Sequence, residues 1–191
     1  MATNASGTLM ESMKRALPLL RHVVWEPAAS QPGMLAALSL YGEFVLPRDA
    51  RQKCVFIAGG IGITPFRSMI KYLMDTRQRR PLVLFYVAGT ADELVYRDVF
   101  DQARREVGLK TIYTITDPGR SSAGWQGQVG RLTPQLLKAE VPDYRKCLFY
   151  IAGPKSLVDA FRKLLQQLHV ADDHIIACDM TVRVIDELEV V

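Results

Sequence analysis

The stretch Cys54-Val-Phe-Ile-Ala-Gly-Gly-Ile-Gly-Ile-Thr-Pro-Phe-Arg-Ser-Met-Ile-Lys-Tyr-Leu73 constrains the fold more than any other part of the chain. Cys54–Ala58 is a short apolar strand, Gly59-Gly60-Ile61-Gly62 a glycine-rich turn, and a helix is expected from Thr64-Pro65. Thr is suited to the N-cap because its hydroxyl accepts from an orphan first-turn N–H, and Pro suits the first helical position. Phe66, Met69, Ile70 and Leu73 then recur at helical spacing and predict one buried stripe. Such a strand, turn and helix start gather free backbone N–H groups and the positive end of a helix dipole into one concavity, which suits a phosphate or pyrophosphate. The turn is neither the G-x-G-x-x-G fingerprint nor a P-loop, which would carry Lys followed by Ser or Thr. A tight turn that binds nothing is the alternative.

Composition narrows the class. With 191 residues, 49% hydrophobic and 23% charged, the chain can bury one good core, or one domain plus part of another. It has no apolar run of membrane-spanning length, and Met1-Ala-Thr-Asn-Ala-Ser-Gly7 lacks a signal-peptide core. Cys54, Cys147 and Cys178 form no C-x-x-C pair, iron–sulfur spacing or disulfide framework, so a reducing cytoplasm is the expected compartment. His22, His169 and His174 are isolated, and no metal site is expected. The net charge of +4 is spread out; Arg77, Arg79 and Arg80 cluster where a helix C-terminus is expected, and no nucleic-acid motif accompanies them.

From Cys54 onward the rhythm is regular. Strands are expected at Cys54–Ala58, Leu82–Val87, Lys110–Thr116, Cys147–Ala152 and His174–Cys178, with helices at Thr64–Thr76, Asp92–Arg105, Thr133–Lys138 and Lys155–Leu168. This alternation predicts an α/β fold, a five-stranded parallel sheet flanked by helices and joined by right-handed crossovers. Ligands of such sheets bind outside the carboxyl ends of the strands, at a topological switch point. The Gly59 turn, Ala88-Gly89-Thr90 and Ala152-Gly153-Pro154 should therefore line one edge. Upstream, a helix is expected over Leu9–Leu17, short strands over Met34–Leu40 and Phe44–Leu46, and a linker over Pro47–Lys53.

Taken jointly, these segments resemble the nucleotide-binding half of the ferredoxin–NADP reductase-like flavoenzymes. Gly59-Gly60-Ile61-Gly62-Ile63-Thr64-Pro65-Phe66 is similar to that family's G-G-x-G-[IV]-[TA]-P turn, and Ile151-Ala152-Gly153-Pro154-x-x-Leu157 to its C-G-P-x-x-M segment. Ala91-Asp-Glu-Leu-Val-Tyr-Arg97 resembles its helix start after the second strand. Thr116-Asp117 with Trp125-Gln-Gly127-Gln-Val-Gly130-Arg131 resembles its T-D-x…W-x-G-x-x-G stretch. Pro32-Gly33 and Leu40-Tyr41-Gly42-Glu43-Phe44-Val-Leu-Pro47 are similar to the last strands of its flavin barrel.

The resemblance implies a Rossmann-like nucleotide domain over 54–191, preceded by a partial flavin-binding barrel remnant over 1–53. It implies hydride transfer from NADH or NADPH to FAD, with electrons passed on to a separate one-electron protein or small acceptor. By the same resemblance Gly59, Gly60, Ile61, Gly62, Ile63, Thr64 and Pro65 cradle the pyrophosphate and nicotinamide. Gly89, Thr90, Thr116 and Asp117 lie along the nucleotide, and Gly153, Pro154 and Leu157 shape the opposite wall. Thr64 and Ala152 take the catalytic positions, and Tyr41, Gly42, Gly7, Thr8 and Ser12 the flavin contacts. A carboxylate at Asp117 accepts from a ribose 2′-hydroxyl and repels a 2′-phosphate, which favours NADH; Arg120 nearby would reverse that by pairing a phosphate.

Three departures qualify the expectation. No Arg in residues 1–50 opens the R-x-[YF]-[ST] segment that holds the flavin, so this polypeptide is expected to begin inside the barrel and to bind flavin poorly by itself. Ala152 stands where the family usually has Cys, which implies slower hydride transfer. The C-terminus carries no aromatic to shield a flavin, and Thr181–Ile185 alternates like an edge strand. The rival reading is a non-catalytic nucleotide-binding or scaffold subunit, or an electron-transfer subunit whose barrel a partner chain completes. Neither nucleic acid nor a membrane span is expected.

Overall fold

The computed structural model describes residues 44–117 and 124–179. Contacts divide the chain into residues 1–41 and 42–191, and every described residue lies in the second unit. The expected helix over Leu9–Leu17, the strand over Met34–Leu40, the flavin contacts Gly7, Thr8, Ser12, Tyr41 and Gly42, the Arg120 loop and the Thr181–Ile185 tail lie outside the described residues.

Among the described residues ten helices and strands follow in order: β1 (Cys54–Gly59), α1 (Ile63–Asp75), β2 (Leu82–Ala88), α2 (Arg97–Glu106), β3 (Lys110–Ile115), β4 (Gln128–Val129), α3 (Pro134–Glu140), β5 (Leu148–Gly153), α4 (Lys155–Gln167) and β6 (Ile175–Asp179). All five expected strands form. A sixth, the two-residue β4, adds itself to the β3 edge, pairing Thr114 with Gln128 and Ile115 with Val129. The strand order is β4-β3-β2-β1-β5-β6, and every pairing is parallel. The chain lays strands outward from β1 in one direction as far as β4, then returns to β1's other side for β5 and β6. That reversal makes the β1/β5 boundary the topological switch point.

Because helices cover both faces, the central strands are apolar throughout rather than alternating. All six residues of β1 are buried. Side chains of one parity, Cys54, Phe56 and Ala58, pack under α1 and α2 with Phe66, Ile70, Leu73, Phe100 and Ala103. Those of the other parity, Val55 and Ile57, pack under α3 and α4 with Leu137, Val158, Phe161 and Leu165. The two cores are thus the two faces of one sheet.

Two expectations need correction. Phe44–Leu46 forms no strand. Instead the segment is pinned as irregular chain: the Tyr150 hydroxyl donates to the Val45 carbonyl at 2.6 Å, Arg80 Nη1 donates to the Pro47 carbonyl at 2.6 Å, and the Phe44 ring lies 5.6 Å from Phe66 and 5.4 Å from Tyr150. The helix expected from Asp92 starts only at Arg97. A 3-10 turn at Ala91–Glu93 comes first, Leu94 drops into the core, and Tyr96 takes a left-handed backbone (φ 60) that breaks helical continuity.

Candidate nucleotide-binding site

At the carboxyl end of β1 the chain makes a 3-10 turn, Gly60–Gly62, and enters α1 at Ile63. The helix begins one residue before Thr64, so Thr64 is not its N-cap. Its hydroxyl donates back to the Ile61 carbonyl at 2.9 Å, which leaves the oxygen's acceptor side outward on an exposed side chain. No side chain caps α1, whose N-cap residue is Gly62. Ile63 N–H is already bonded to the Gly60 and Ile61 carbonyls and Pro65 has no N–H, so what the helix start presents to the edge is its positive dipole end and the Thr64 backbone and hydroxyl.

The glycines here are required for different reasons. Gly60 has a left-handed backbone (φ +51), and a Cβ there would project into open space in front of the turn. Gly62 is a matter of packing: a Cβ would collide with the Ala152 carbonyl and the Gly153 nitrogen. A Cβ on Gly59 would run into the Leu157 side chain from α4. One on Gly153 would sit 3.1 Å from the Gly59 carbonyl oxygen. Thus Gly59, Gly62, Gly153 and Leu157, expected at the site from separate parts of the sequence, meet at the switch point. Pro154 N-caps α4 directly behind them. Ile61 is 70% exposed at the tip of the turn.

Ala152 is fully buried, paired with Ala58, and belongs to the core beneath α1. What it brings to the turn is the backbone carbonyl against Gly62.

The other half of the edge is built by β2 and β3. Asp117 N–H donates to the Gly89 carbonyl at 2.9 Å and Thr116 N–H to the Ala88 carbonyl at 3.0 Å, so the two loops are laced together. Gly89 N–H donates to Glu93 Oε2 at 2.9 Å, and the Thr90 hydroxyl lies 3.3 Å from Glu93 Oε1. Glu93 is not among the expected site residues. Its spacing from Thr90, a hydroxyl residue followed three positions later by Glu, is the capping-box signal that would have found it. Beyond the edge strand, a cavity of about 590 Å³ runs beside α2 and is lined by Arg97, Tyr113, Trp125 and Gln128 among others. Trp125 Nε1 donates to the Gln128 carbonyl at 3.2 Å, and the Arg97 guanidinium sits 5.4 Å from the Tyr113 ring and 5.9 Å from Trp125. Trp125 thereby packs the β4 loop onto the sheet.

The fit to a dinucleotide can be tested on this geometry. The uncapped start of α1, the cradle in front of Gly60 that a side chain would fill, and two glycine-tight walls at a switch point are the features that let a backbone approach a pyrophosphate. The fold and site define a dinucleotide-binding α/β domain of the reductase type. Residues 56–163 match the oxidoreductase NAD-binding domain, and the chain belongs to that family, the nucleotide-binding part of the ferredoxin reductase-like flavoprotein oxidoreductases.

Among its relatives, a component of the Na(+)-translocating NADH-quinone reductase of Yersinia pestis (strain Pestoides F) is 31% identical over 144 residues, which is 73% of this chain and 35% of that protein. NADH-cytochrome b5 reductase 1 of Ajellomyces capsulatus is 30% identical over 135 residues, 66% of this chain and 43% of that one. The chain therefore spans about a third to two fifths of the curated relatives it matches. In fold it is similar to the Amycolatopsis cytochrome P450 reductase (TM-score 0.62, 20% identity, 73% of this chain and 41% of that chain). It is also similar to the FAD/NAD-binding domain of the Vibrio cholerae nitric oxide dioxygenase (TM-score 0.60, 19% identity, 70% and 52%). No helix among the described residues is long and apolar enough to cross a membrane.

Proposed function

We propose that this chain binds a nicotinamide dinucleotide across the carboxyl edge of its sheet and serves an NAD(P)H-dependent flavin oxidoreductase. The bound cofactor supplies a hydride for FAD, from which electrons go on to a one-electron acceptor. The observation that carries the reading is the convergence of Gly59, Gly60 and Gly62 with Gly153 and Leu157 at the β1/β5 switch point, in front of an uncapped helix start.

Each residue has a defined task in this reading. The glycine turn and the positive end of the α1 dipole face the pyrophosphate, and Gly60 leaves it room. The Thr64 hydroxyl, already donating to Ile61, receives a hydrogen bond from the nicotinamide side. Ile63 and Pro65 hold the helix start in place, and Gly153 and Pro154 close the far wall without side-chain bulk. Thr116 and Asp117 meet the adenosine ribose; the Asp117 carboxylate suits a 2′-hydroxyl, so NADH is the preferred form. Residues 54–191 are the nucleotide domain in this account and 1–53 belong with the flavin side. The three cysteines, none of them in a disulfide, fit a cytoplasmic location.

A second reading, a nucleotide-binding subunit with no turnover of its own, draws on Ala152. Its methyl is buried and no thiol stands at that position. Calorimetric titration of the full chain with NADH, followed by anaerobic absorbance with added FAD, separates the two. NADH binding with bleaching near 450 nm, about the flavin band, supports the reductase. NADH binding without retained flavin supports the second reading. No nucleotide binding contradicts both.

A further inference from the structure

Two acidic residues bond to the backbone of one glycine, Glu93 through its carboxylate and Asp117 through its N–H. Gly89, at the end of β2, accepts from Asp117 N–H through its carbonyl at 2.9 Å and donates its own N–H to Glu93 Oε2 at 2.9 Å. The Glu93 carboxylate is fixed rather than waving in solvent. Its second oxygen is 3.3 Å from the Thr90 hydroxyl, and a Cβ on Gly89 would sit within 3.0 Å of both of its oxygens. Among the described residues no Lys or Arg forms an ion pair with Glu93. The carboxylate occupies a backbone N–H and a hydroxyl that an anionic group on a ligand would otherwise use.

We infer that Glu93 is a selectivity residue: together with Asp117 it makes the β2/β3 end of the edge a charge filter that admits NADH in preference to NADPH. The inference rests on the reading of this edge as a dinucleotide site. NADPH brings an additional phosphate of nearly two negative charges, which a fixed carboxylate repels through partly screened solvent. NADH meets the same carboxylate with a neutral ribose hydroxyl, which can donate to it. Glu93 thus acts by charge and by occupying donors, not by chemistry on the reacting atoms.

Glu93→Gln isolates the charge, because the amide oxygen still accepts from Gly89 N–H while the carboxylate is lost. In calorimetric titrations of the full chain at low ionic strength, the variant is expected to bind NADPH about fivefold more tightly, and NADH within about twofold of the parent. The NADPH gain should shrink as salt is raised past about 0.15 M, where charges more than about 8 Å apart are screened. Glu93→Asp should restore the parent preference, whereas a purely structural loop role would move both nucleotides together and show no salt dependence. Parent protein that binds NADH, with a Gln variant whose NADH/NADPH ratio is unchanged, overturns the inference and leaves the site standing. Parent protein that binds neither nucleotide overturns the site itself.

Discussion

Gly62 lies directly beneath the Ala152 carbonyl, so close that a methyl group on Gly62 would collide with that carbonyl and with the following Gly153 nitrogen. Both flanking elements are fixed. β1 and β5 are paired from Cys54 to Ala58, and α1 starts immediately after Gly62. Neither neighbour can give way without moving backbone, so this one contact sets the spacing between the glycine turn and the far wall.

Gly62→Ala is therefore expected to cost about 1–3 kcal/mol of stability, the usual range for overpacking a tight site. It should also weaken NADH binding. Gly60→Ala meets no atom, but it places a side chain at φ +51 in the cradle, so it should weaken binding with a stability loss of only about 1 kcal/mol. Chemical denaturation of both variants beside NADH titration checks the contrast; equal stability losses would contradict it.

The Tyr150–Val45 hydrogen bond tests the anchoring of the connector. Tyr150 is 1% exposed, and its hydroxyl reaches Val45 at 2.6 Å while its ring meets Phe44 and Phe56 edge-on. Tyr150→Phe should cost about 0.5–1.5 kcal/mol, one net hydrogen bond. Phe44→Ala should cost more, because it also removes the ring contacts with Phe66 and Tyr150. Urea unfolding should show lower midpoints with unchanged slopes.

Alkaline pH is expected to unfold the protein by a defined route. Burial pushes the Cys54 thiol from an ordinary 9.0 up to about 12, and the Tyr113 and Tyr150 phenols from 10.0 up to about 12. Between these limits the unfolded chain releases protons that the folded chain keeps, so stability is fully present below pH 9 and falls as pH rises toward 12. A denaturation series from pH 8 to 12 checks the sign. The fall should flatten in a Cys54→Ala, Tyr150→Phe double variant relative to its own value at pH 8.

Much of this is legible in the sequence for identifiable reasons. Five strands are readable because their apolar runs are bounded by polar or glycine breaks. Gly59–Gly62, Gly153 and Leu157 are readable as motif positions. β4 is not, because two residues cannot show a period; its pairing is supported by Gly130 N–H donating to the Ile115 carbonyl. The start of α1 differs by one residue from its expected place because the 3-10 turn pre-winds the chain and redirects the Thr64 hydroxyl to Ile61. Similarly, Leu94 fits the period of a helix from Asp92, yet its burial and the left-handed Tyr96 delay that helix to Arg97. That Ala152 joins the core beneath α1 rather than the one beneath α3 and α4 is invisible in the sequence, because strand parity, which decides the face, depends on a register that only the paired sheet supplies.

The most direct test of the account is amide hydrogen exchange with and without saturating NADH. Added protection should concentrate at Gly59–Thr64 and Gly153–Leu157, with a smaller change at Gly89 and Asp117, and the opposite edge around Cys147 should stay unchanged. No nucleotide-dependent protection at the glycine turn, or protection confined to the Trp125 cavity beside α2, would contradict it.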